Sequence, residues 1–383
     1  MANIEDYLLW RGDLTVTQAP FNRVDNLILS NLAYLIFKEI VPELNNEKQT
    51  FLSKITSLFK SDEASRMQYI TIFDAIAAMN LATEGKDRIR VSQDIEMGIK
   101  LAKTKRFGNM KLMCYVDKYD ESIETQFAAI TILMEDNTAY IAFRGTDTSL
   151  IGWKEDFNMS FMDKVPAQEL ALLYLKDVAE IIKCPLRIGG HSKGGNLAVY
   201  SSLYAGKEIQ DRIINIYNND GPGFKSSILQ TEEYKNIQNK IDTIIPQTSI
   251  IGMLLEHEEE YIVIRSNETL IMQHDPYSWE VLGPDFIKMQ ETTSSSKFID
   301  TTLRNWLRDM DITQREKFVD LLWEVLGATK VKTFSEMAES LFANAVKIGK
   351  KINNLDPDSK EVLSTALSML IKSAKNTLLA ELK

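Results

Sequence analysis

The most chemically suggestive pattern in the chain is Gly190-His-Ser-Lys-Gly194, in which a serine stands between two glycines. This G-x-S-x-G pattern is typical of a nucleophile elbow, a sharp turn from a strand into a helix that exposes a serine hydroxyl. Glycine suits the flanking positions because a strained turn brings backbone close to backbone. The helix that follows would direct its N-terminal N–H groups at the reacting centre. The pattern therefore predicts that Ser192 is a catalytic nucleophile.

A serine nucleophile needs a base, usually histidine, and the chain contains three histidines. His191 lies inside the elbow, where its side chain should point away from the side that Ser192 presents and serve packing or hydrogen bonding. His257 lies in the charged segment Glu256-His-Glu-Glu-Glu260, which is typical of a solvated surface. His274 follows a β-like run and opens a loop. By elimination, we predict that His274 is the base.

The acid that orients the histidine should lie between Ser192 and His274, at the end of a strand. Asp220 directly follows the apolar run 212–219 and precedes a Gly-Pro-Gly loop. Asp242 is the competitor, because it opens the next apolar run. We favour Asp220 because of its position at a strand end.

An oxyanion hole would use the N–H of the residue after the nucleophile, Lys193, and a second donor from the loop after an earlier strand. The segment Phe143-Arg-Gly-Thr146 suits the second role. Gly145 would let the backbone approach, and Thr146 offers both an N–H and a hydroxyl. We therefore predict Lys193 and Thr146 at this site; the alternative for Lys193 is an ordinary solvated lysine at the start of a helix.

The elements that must position these residues alternate between strands and helices, which predicts an α/β fold with a mainly parallel sheet flanked by helices. An amphipathic helix over 166–184 leads to the strand before Ser192. Hydrophobic periodicity predicts helices over 26–41, 47–59, 64–81 and 92–103, and strands over 110–116, 126–134, 139–143, 212–219, 261–265 and 269–272.

The two ends of the chain are expected to be helical. We predict one domain over 1–285, with a mostly helical lead-in over 1–108 and a catalytic core over 110–280. After a polar stretch at 292–296, residues 297–383 should form a helical C-terminal extension that either docks on the core or serves self-association.

Composition excludes several classes of protein. The net charge of −10 argues against a nucleic-acid-binding surface and against an anionic-membrane surface built on basic patches. The two cysteines have no metal-ligand spacing, and we expect no metal or other cofactor. No apolar run reaches the ~20 residues that span a bilayer, and no secretory signal is visible. These features predict a soluble, cytoplasmic protein.

Two motifs together resemble the class 3 lipases: Ala142-Phe-Arg-Gly-Thr146 with Trp153 and Asp156, and Gly190-His-Ser-Lys-Gly-Gly-Asn-Leu-Ala198. The resemblance covers roughly residues 110–280. It implies an α/β-hydrolase fold, Ser192 as nucleophile, His274 as base, and Thr146 and Lys193 at the oxyanion hole. In class 3 lipases the acid generally follows a later strand, which favours Asp242 over Asp220.

The chain as a whole more closely resembles the bacterial Mbeg1-like proteins. It shares with them three segments: Trp10-Arg-Gly-Asp13, Asp220-Gly-Pro-Gly-Phe224 and His274-Asp-Pro-Tyr-Ser-Trp279.

These residues predict a serine hydrolase that cleaves an ester or related acyl bond of a small-molecule or lipid-like substrate. Residues 149–166, which include Met159, would form either a flap over an acyl pocket or part of the core. The alternative is a catalytically silent α/β-hydrolase scaffold that binds a protein partner through its helical ends. The C-terminal extension would also suit a homo-oligomer.

Overall fold

The computed structural model describes residues 2–44, 68–79, 90–120, 125–146, 158–159, 164–249, 251–253, 255, 257–268, 270–290, 301–302, 305–306, 309–327 and 341–381. The strands in this part of the chain are β1 (Ile70–Thr71), β2 (Lys111–Asp120), β3 (Thr125–Leu133), β4 (Ala139–Phe143), β5 (Leu186–His191), β6 (Ile213–Asn219), β7 (Ile241–Pro246), β8 (Tyr261–Ile264), β9 (Val281–Leu282), β10 (Asp285–Phe286) and β11 (Lys288–Met289). The helices are α1 (Ile4–Arg11), α2 (Arg23–Leu32), α3 (Ile72–Met79), α4 (Ser92–Ala102), α5 (Pro166–Ile181), α6 (Lys193–Tyr204), α7 (Lys207–Arg212), α8 (Ser226–Leu229), α9 (Glu232–Gln238), α10 (Ile312–Gly327), α11 (Leu341–Asn354) and α12 (Pro357–Glu381), with 3₁₀ turns at Leu270–His274 and Pro276–Ser278.

Nine of these described strands form one sheet in the order β1-β2-β3-β4-β5-β6-β7-β8-β11. The centre, from β4 to β8, is parallel, whereas β1 to β4 and β8 with β11 pair antiparallel. The predicted α/β fold is confirmed, and the sheet is mixed, with a parallel centre and antiparallel edges. The carboxyl ends of parallel strands meet at one edge of a sheet, so β5 and β6 deliver the residues after them to the same edge.

Both faces of the sheet are covered, which explains why the central strands are apolar at consecutive positions. In β4, Tyr140 and Ala142 join the apolar cluster under α1 to α4, while Ile141 and Phe143 join the cluster under α5 and α6. The N-terminal helices therefore pack as a layer on the sheet that carries the elbow.

The described part of the C-terminal segment contains an apolar cluster of its own. Trp306, Phe318 and Leu363 belong to it, and the Trp306 indole N–H donates to the Ala366 carbonyl at 2.8 Å. The division of the chain at 285 and 297 stays a prediction.

Three of the predicted elements differ from the structure. The helix expected over 64–81 begins only at Ile72, because Ile70 and Thr71 pair with β2 as strand β1. The helix expected over 26–41 ends at Leu32, where the chain turns and brings Tyr34 under the elbow. The strand expected over 269–272 is wrong, because Leu270–His274 forms a 3₁₀ turn and β11 takes the place beside β8. The helix expected over 47–59 lies outside the described residues.

A buried ion pair fastens the N-terminal layer. The Arg106 guanidinium binds both Asp25 oxygens, at 2.7 and 2.5 Å, and both side chains are fully buried. The same guanidinium donates to the carbonyls of Leu14, Thr15, Ala19 and Pro20. A single side chain thus orders the connection between α1 and α2.

We expect Arg106→Met to lower the free energy of unfolding by about 3–5 kcal/mol, because it leaves a buried carboxylate without its partner. Urea unfolding followed by circular dichroism measures this change. The exposed pair Lys207–Asp211 supplies the control, since Lys207→Ala should change stability by less than about 0.5 kcal/mol. The double variant Arg106→Met/Asp25→Asn should be more stable than Arg106→Met; an equal or lower stability would contradict this account.

Candidate active site

Ser192 occupies the turn between β5 and α6 in a conformation that few side chains adopt. Its backbone has φ 59° and ψ −134°, a sparsely populated region that costs of the order of 1–3 kcal/mol and persists only where the surroundings enforce it. The Ser192 N–H donates to the Asn219 carbonyl at 2.9 Å, and the Ser192 carbonyl accepts from the Gly195 N–H at 2.9 Å. The turn is therefore held from β6 and from the first turn of α6.

The two glycines of the motif are required by close backbone contacts. A Cβ at Gly190 would lie 2.3 Å from the Gly194 carbonyl carbon, and a Cβ at Gly194 would lie 2.2 Å from the Phe143 carbonyl oxygen. The ends of β4 and β5 and the start of α6 thus touch backbone to backbone. This elbow at the parallel centre of the sheet is the arrangement of the α/β-hydrolase fold.

His274 and Asp220 meet directly. The His274 Nδ1 lies 2.7 Å from Asp220 Oδ2, with the carboxylate buried and the imidazole 19% exposed. An ionised carboxylate can only accept, so the proton of the neutral ring is on Nδ1, and Nε2 is left as the basic nitrogen. The ring centres of His274 and His191 are 4.5 Å apart, which puts this pair beside the elbow.

Asp220 is fixed from a loop that sequence reasoning missed. The Ser249 hydroxyl donates to Asp220 Oδ1 at 2.5 Å and accepts from the Gly252 N–H at 2.9 Å. A Cβ at Gly252 would lie 2.2 Å from Asp220 Oδ1. No local signal marks Ser249 in the sequence, because its partner lies 29 residues away.

The competing acid, Asp242, lies elsewhere. It is the second residue of β7 and pairs in the sheet with Tyr217, toward the opposite end of the strands from Asp220. Both of its oxygens accept from Arg23 Nε, at 3.0 and 2.7 Å. Burial raises the pKa of Asp242, although the Arg23 guanidinium opposes this.

The segment that carries His274 is rigid for local reasons. Pro276 starts the second 3₁₀ turn. The Asp275 carboxylate caps this turn by accepting from the Tyr277 N–H at 3.2 Å. The Tyr277 hydroxyl donates to buried Asp94 at 2.8 Å, and the Trp279 indole donates to the Gln273 carbonyl at 2.8 Å.

The loop after β4 runs beside the serine. A Cβ at Gly145 would lie 3.1 Å from the Ser192 Cβ and 2.3 Å from the His191 carbonyl oxygen, so only glycine fits. Thr146, the next residue, is buried. The structure therefore brings the segment that ends in Thr146 next to Ser192. Trp153 and Asp156 lie outside the described residues, whereas Met159 is buried in the cluster under α5 and α6.

Lys193 begins α6, so its backbone N–H is one of the first N–H groups of that helix. The structure contradicts the alternative of a solvated lysine. Its side chain is buried, and the Nζ donates to the Gln126 carbonyl at 3.1 Å.

His191 contacts His274 from the side of the elbow, in the hydrogen-bonding role expected for it. Its Nε2 donates to the His274 carbonyl at 2.8 Å, and its Nδ1 accepts from the Tyr34 hydroxyl at 3.0 Å. Burial first, and then the charges of His274 and Arg90, hold the pKa of His191 well below its usual value. The His191 ring is therefore neutral near pH 7.

His257 is not the surface residue predicted from sequence. Its side chain is buried, with Nδ1 2.9 Å from Glu259 and Nε2 donating to the Gly252 carbonyl at 2.7 Å. Burial alone would raise the pKa of Glu259, but His257 and the hydroxyls of Thr243 and Tyr234 hold it at about 2. This second carboxylate–histidine pair fastens the loop that fixes Asp220.

A model of the Mbeg1-like family matches residues 101–324, more than half of the chain. The chain belongs to the Mbeg1-like family. The resemblance predicted from sequence is thus confirmed, and the match includes the elbow, Asp220 and His274. No curated protein matches the chain.

Among solved structures, the native propeptide complex of Rhizomucor miehei lipase is 17% identical and covers 46% of this chain and 70% of the lipase chain, with a TM-score of 0.32. A similarity this low carries no argument about function. In the described part of this Mbeg1-like protein, no helix is long and apolar enough to cross a membrane. No three His, Cys, Asp or Glu side chains of that part group as metal ligands.

We expect His191 to make the stability of this Mbeg1-like protein pH-dependent. Its pKa is lower in the folded state than the ~6.5 of an unfolded chain, so the unfolded state binds the extra proton. Stability is therefore lost as pH falls below ~6.5, by up to about 1.4 kcal/mol per pH unit from this group. Between pH 7 and 5, the free energy of unfolding measured with urea should fall less steeply in His191→Gln than in the wild type.

Lys207→Gln, which changes an exposed charge, should keep the wild-type slope. A His191→Gln slope equal to that of the wild type would contradict a neutral, buried His191.

Proposed function

We propose that this Mbeg1-like protein is a serine hydrolase that cleaves an ester or related acyl bond of a small-molecule or lipid-like substrate. The observation that carries the proposal is the 2.7 Å contact of His274 Nδ1 with buried Asp220, beside a strained Ser192. A serine on strained backbone and a carboxylate-bound imidazole are the parts that acyl transfer needs.

The reaction would proceed in two steps. His274 Nε2 takes the proton of the Ser192 hydroxyl while Oγ attacks the acyl carbonyl carbon. The resulting oxyanion accepts from the N–H groups of Lys193 and Thr146 and faces the positive end of the α6 dipole. As the intermediate collapses, the leaving group takes the proton from His274 and the acyl group stays on Ser192. Water then gives a proton to His274 and attacks the acyl carbon; as the bond to Ser192 Oγ breaks and the acid leaves, His274 returns that proton to Oγ.

The contacts of His274 suit the role of a base that takes the serine proton. Asp220 stabilises the imidazolium, while Ser249 satisfies the other carboxylate oxygen and fixes its orientation. His191 is neutral, so the ring stacked on His274 adds no repulsion.

A fluorophosphonate probe tests the nucleophile and the base. The purified wild type should be labelled, with the adduct on Ser192 by peptide mass spectrometry, because the probe reacts with an activated serine. Labelling should be lost in Ser192→Ala and His274→Ala and kept in Ser359→Ala, which removes an exposed hydroxyl near the start of α12. Absence of labelling of the folded wild type would favour the alternative, a silent scaffold that binds a partner through its helical ends.

Comparison of Asp220→Asn with Asp242→Asn tests the acid. Asp220→Asn should lower kcat/KM for a p-nitrophenyl ester by about three to four orders of magnitude, since the imidazole loses its orienting carboxylate. Asp242→Asn should stay within a few-fold of the wild type. The reverse result would make Asp242 the acid. A panel of short- and long-chain esters, thioesters and lysophospholipids would then define the acyl group.

Two further parts of the proposal, the location and the oligomeric state, rest on the sequence alone. We propose a cytoplasmic location, and self-association through residues 297–383 from their helical periodicity. Size-exclusion chromatography with light scattering, on the full chain, measures the oligomeric state.

A further inference from the structure

A surface cavity of about 500 Å³ is lined by Tyr217 of β6 and by Asp242 near the start of β7, and Ser192, Asp220 and His274 are not among its lining residues. Six of the residues that line it matter here: Arg11, Phe21, Arg23, Tyr217, Asp242 and Asp285. Its volume is in the range of sites that hold a small molecule.

The acidic residues of this cavity are already neutralised. Arg23 binds Asp242 through both oxygens and reaches Asp285 at 3.2 Å. Lys288 binds Asp285 as well, at 3.0 Å. Both carboxylates are therefore paired with basic side chains, so they attract a cationic ligand only weakly.

Arg11, by contrast, has no anionic partner among the described residues. Its guanidinium carbon lies 4.1 Å from the centre of the Trp10 ring, and its Nε is buried without a hydrogen-bond partner. A guanidinium carries five N–H donors in a fixed fork that matches a carboxylate or a phosphate. The charge that remains uncompensated in the cavity is therefore positive.

Tyr217 adds a second donor. The residue is only 5% exposed, and its hydroxyl makes no hydrogen bond within the described part of the chain. Burial, together with the nearby Asp242, raises the pKa of Tyr217, so the phenol stays protonated. The Tyr217 hydroxyl is not among the fully buried, unpaired atoms of the described residues, so it is open to the cavity, where a ligand or water can accept its hydrogen bond.

Two aromatic rings, Phe21 and Tyr217, belong to the lining, and Trp10 lies next to it against Arg11. Phe21 packs against Tyr217 with ring centres 6.1 Å apart, and the exposed ring of Trp10 lies against Arg11. These surfaces suit a flat, apolar body attached to the anionic group.

We propose that this cavity is a second binding site, separate from Ser192, for a small organic anion that carries a carboxylate or phosphate on a flat apolar body. Arg11 pairs with the anionic group, Tyr217 donates a hydrogen bond, and Phe21 packs on the apolar part. The site does not depend on the hydrolase activity.

Benzoate, phenyl phosphate and the neutral control benzyl alcohol test the proposal by calorimetry and saturation-transfer NMR on the full chain. At least one anion should bind with a Kd on the order of 1 mM or below, and the comparison of the two tells a carboxylate from a phosphate site. Arg11→Gln should weaken binding roughly tenfold or more, because a hydrogen-bonded charge is lost. Arg11→Lys should recover part of that loss, and Tyr217→Phe should weaken binding several-fold.

Two variants serve as controls. Ser192→Ala should bind like the wild type, which separates this cavity from the candidate active site. Lys207→Gln makes the same change of charge at an exposed position and should also bind normally. The proposal is overturned if the wild type binds neither anion, if benzyl alcohol binds equally well, or if folded Arg11→Gln and Tyr217→Phe bind like the wild type.

Discussion

The rest of this structure depends on the approach of three backbone segments around Ser192. The end of β4, the end of β5 and the start of α6 meet so closely that Gly190 and Gly194 have no space for a Cβ. This contact forces Ser192 into its positive-φ conformation and brings the loop after β4 beside it. The strain is sustained because both faces of the parallel centre are packed, and a packed sheet cannot yield locally without losing apolar burial.

Around this contact, buried polar groups form one continuous hydrogen-bonded path. It runs from Glu259 and His257 through Gly252 and Ser249 to Asp220, and then through His274 to His191 and Tyr34. A buried polar group without a partner is costly, so such a path is stable only when each member is satisfied. The path joins the loop after β7 to the N-terminal layer and defines the orientation of both rings beside Ser192.

The N-terminal layer has a part in this arrangement beyond covering the sheet. Arg106 and Asp25 order the start of α2, and the turn after α2 supplies Tyr34 to His191. Arg23, at the start of the same helix, neutralises Asp242. Helix α2 therefore contributes to both places: the turn after it supplies Tyr34 to the candidate active site, and its first residue, Arg23, lines the cavity.

The sequence by itself predicted the elbow, its two glycines, the family and the alternation of strands and helices, because these follow from local backbone sterics and hydrophobic periodicity. It also led to His274, since few histidines were available. Only the tertiary structure decided which aspartate contacts His274, because Asp220 and Asp242 both adjoin apolar strands in the sequence. Asp242 is instead paired with Arg23, which lies 219 residues away in the chain. The burial of Lys193 and His257 and the role of Ser249 were hidden for the same reason, since a polar residue is buried or solvated according to partners that the fold brings from distant parts of the chain.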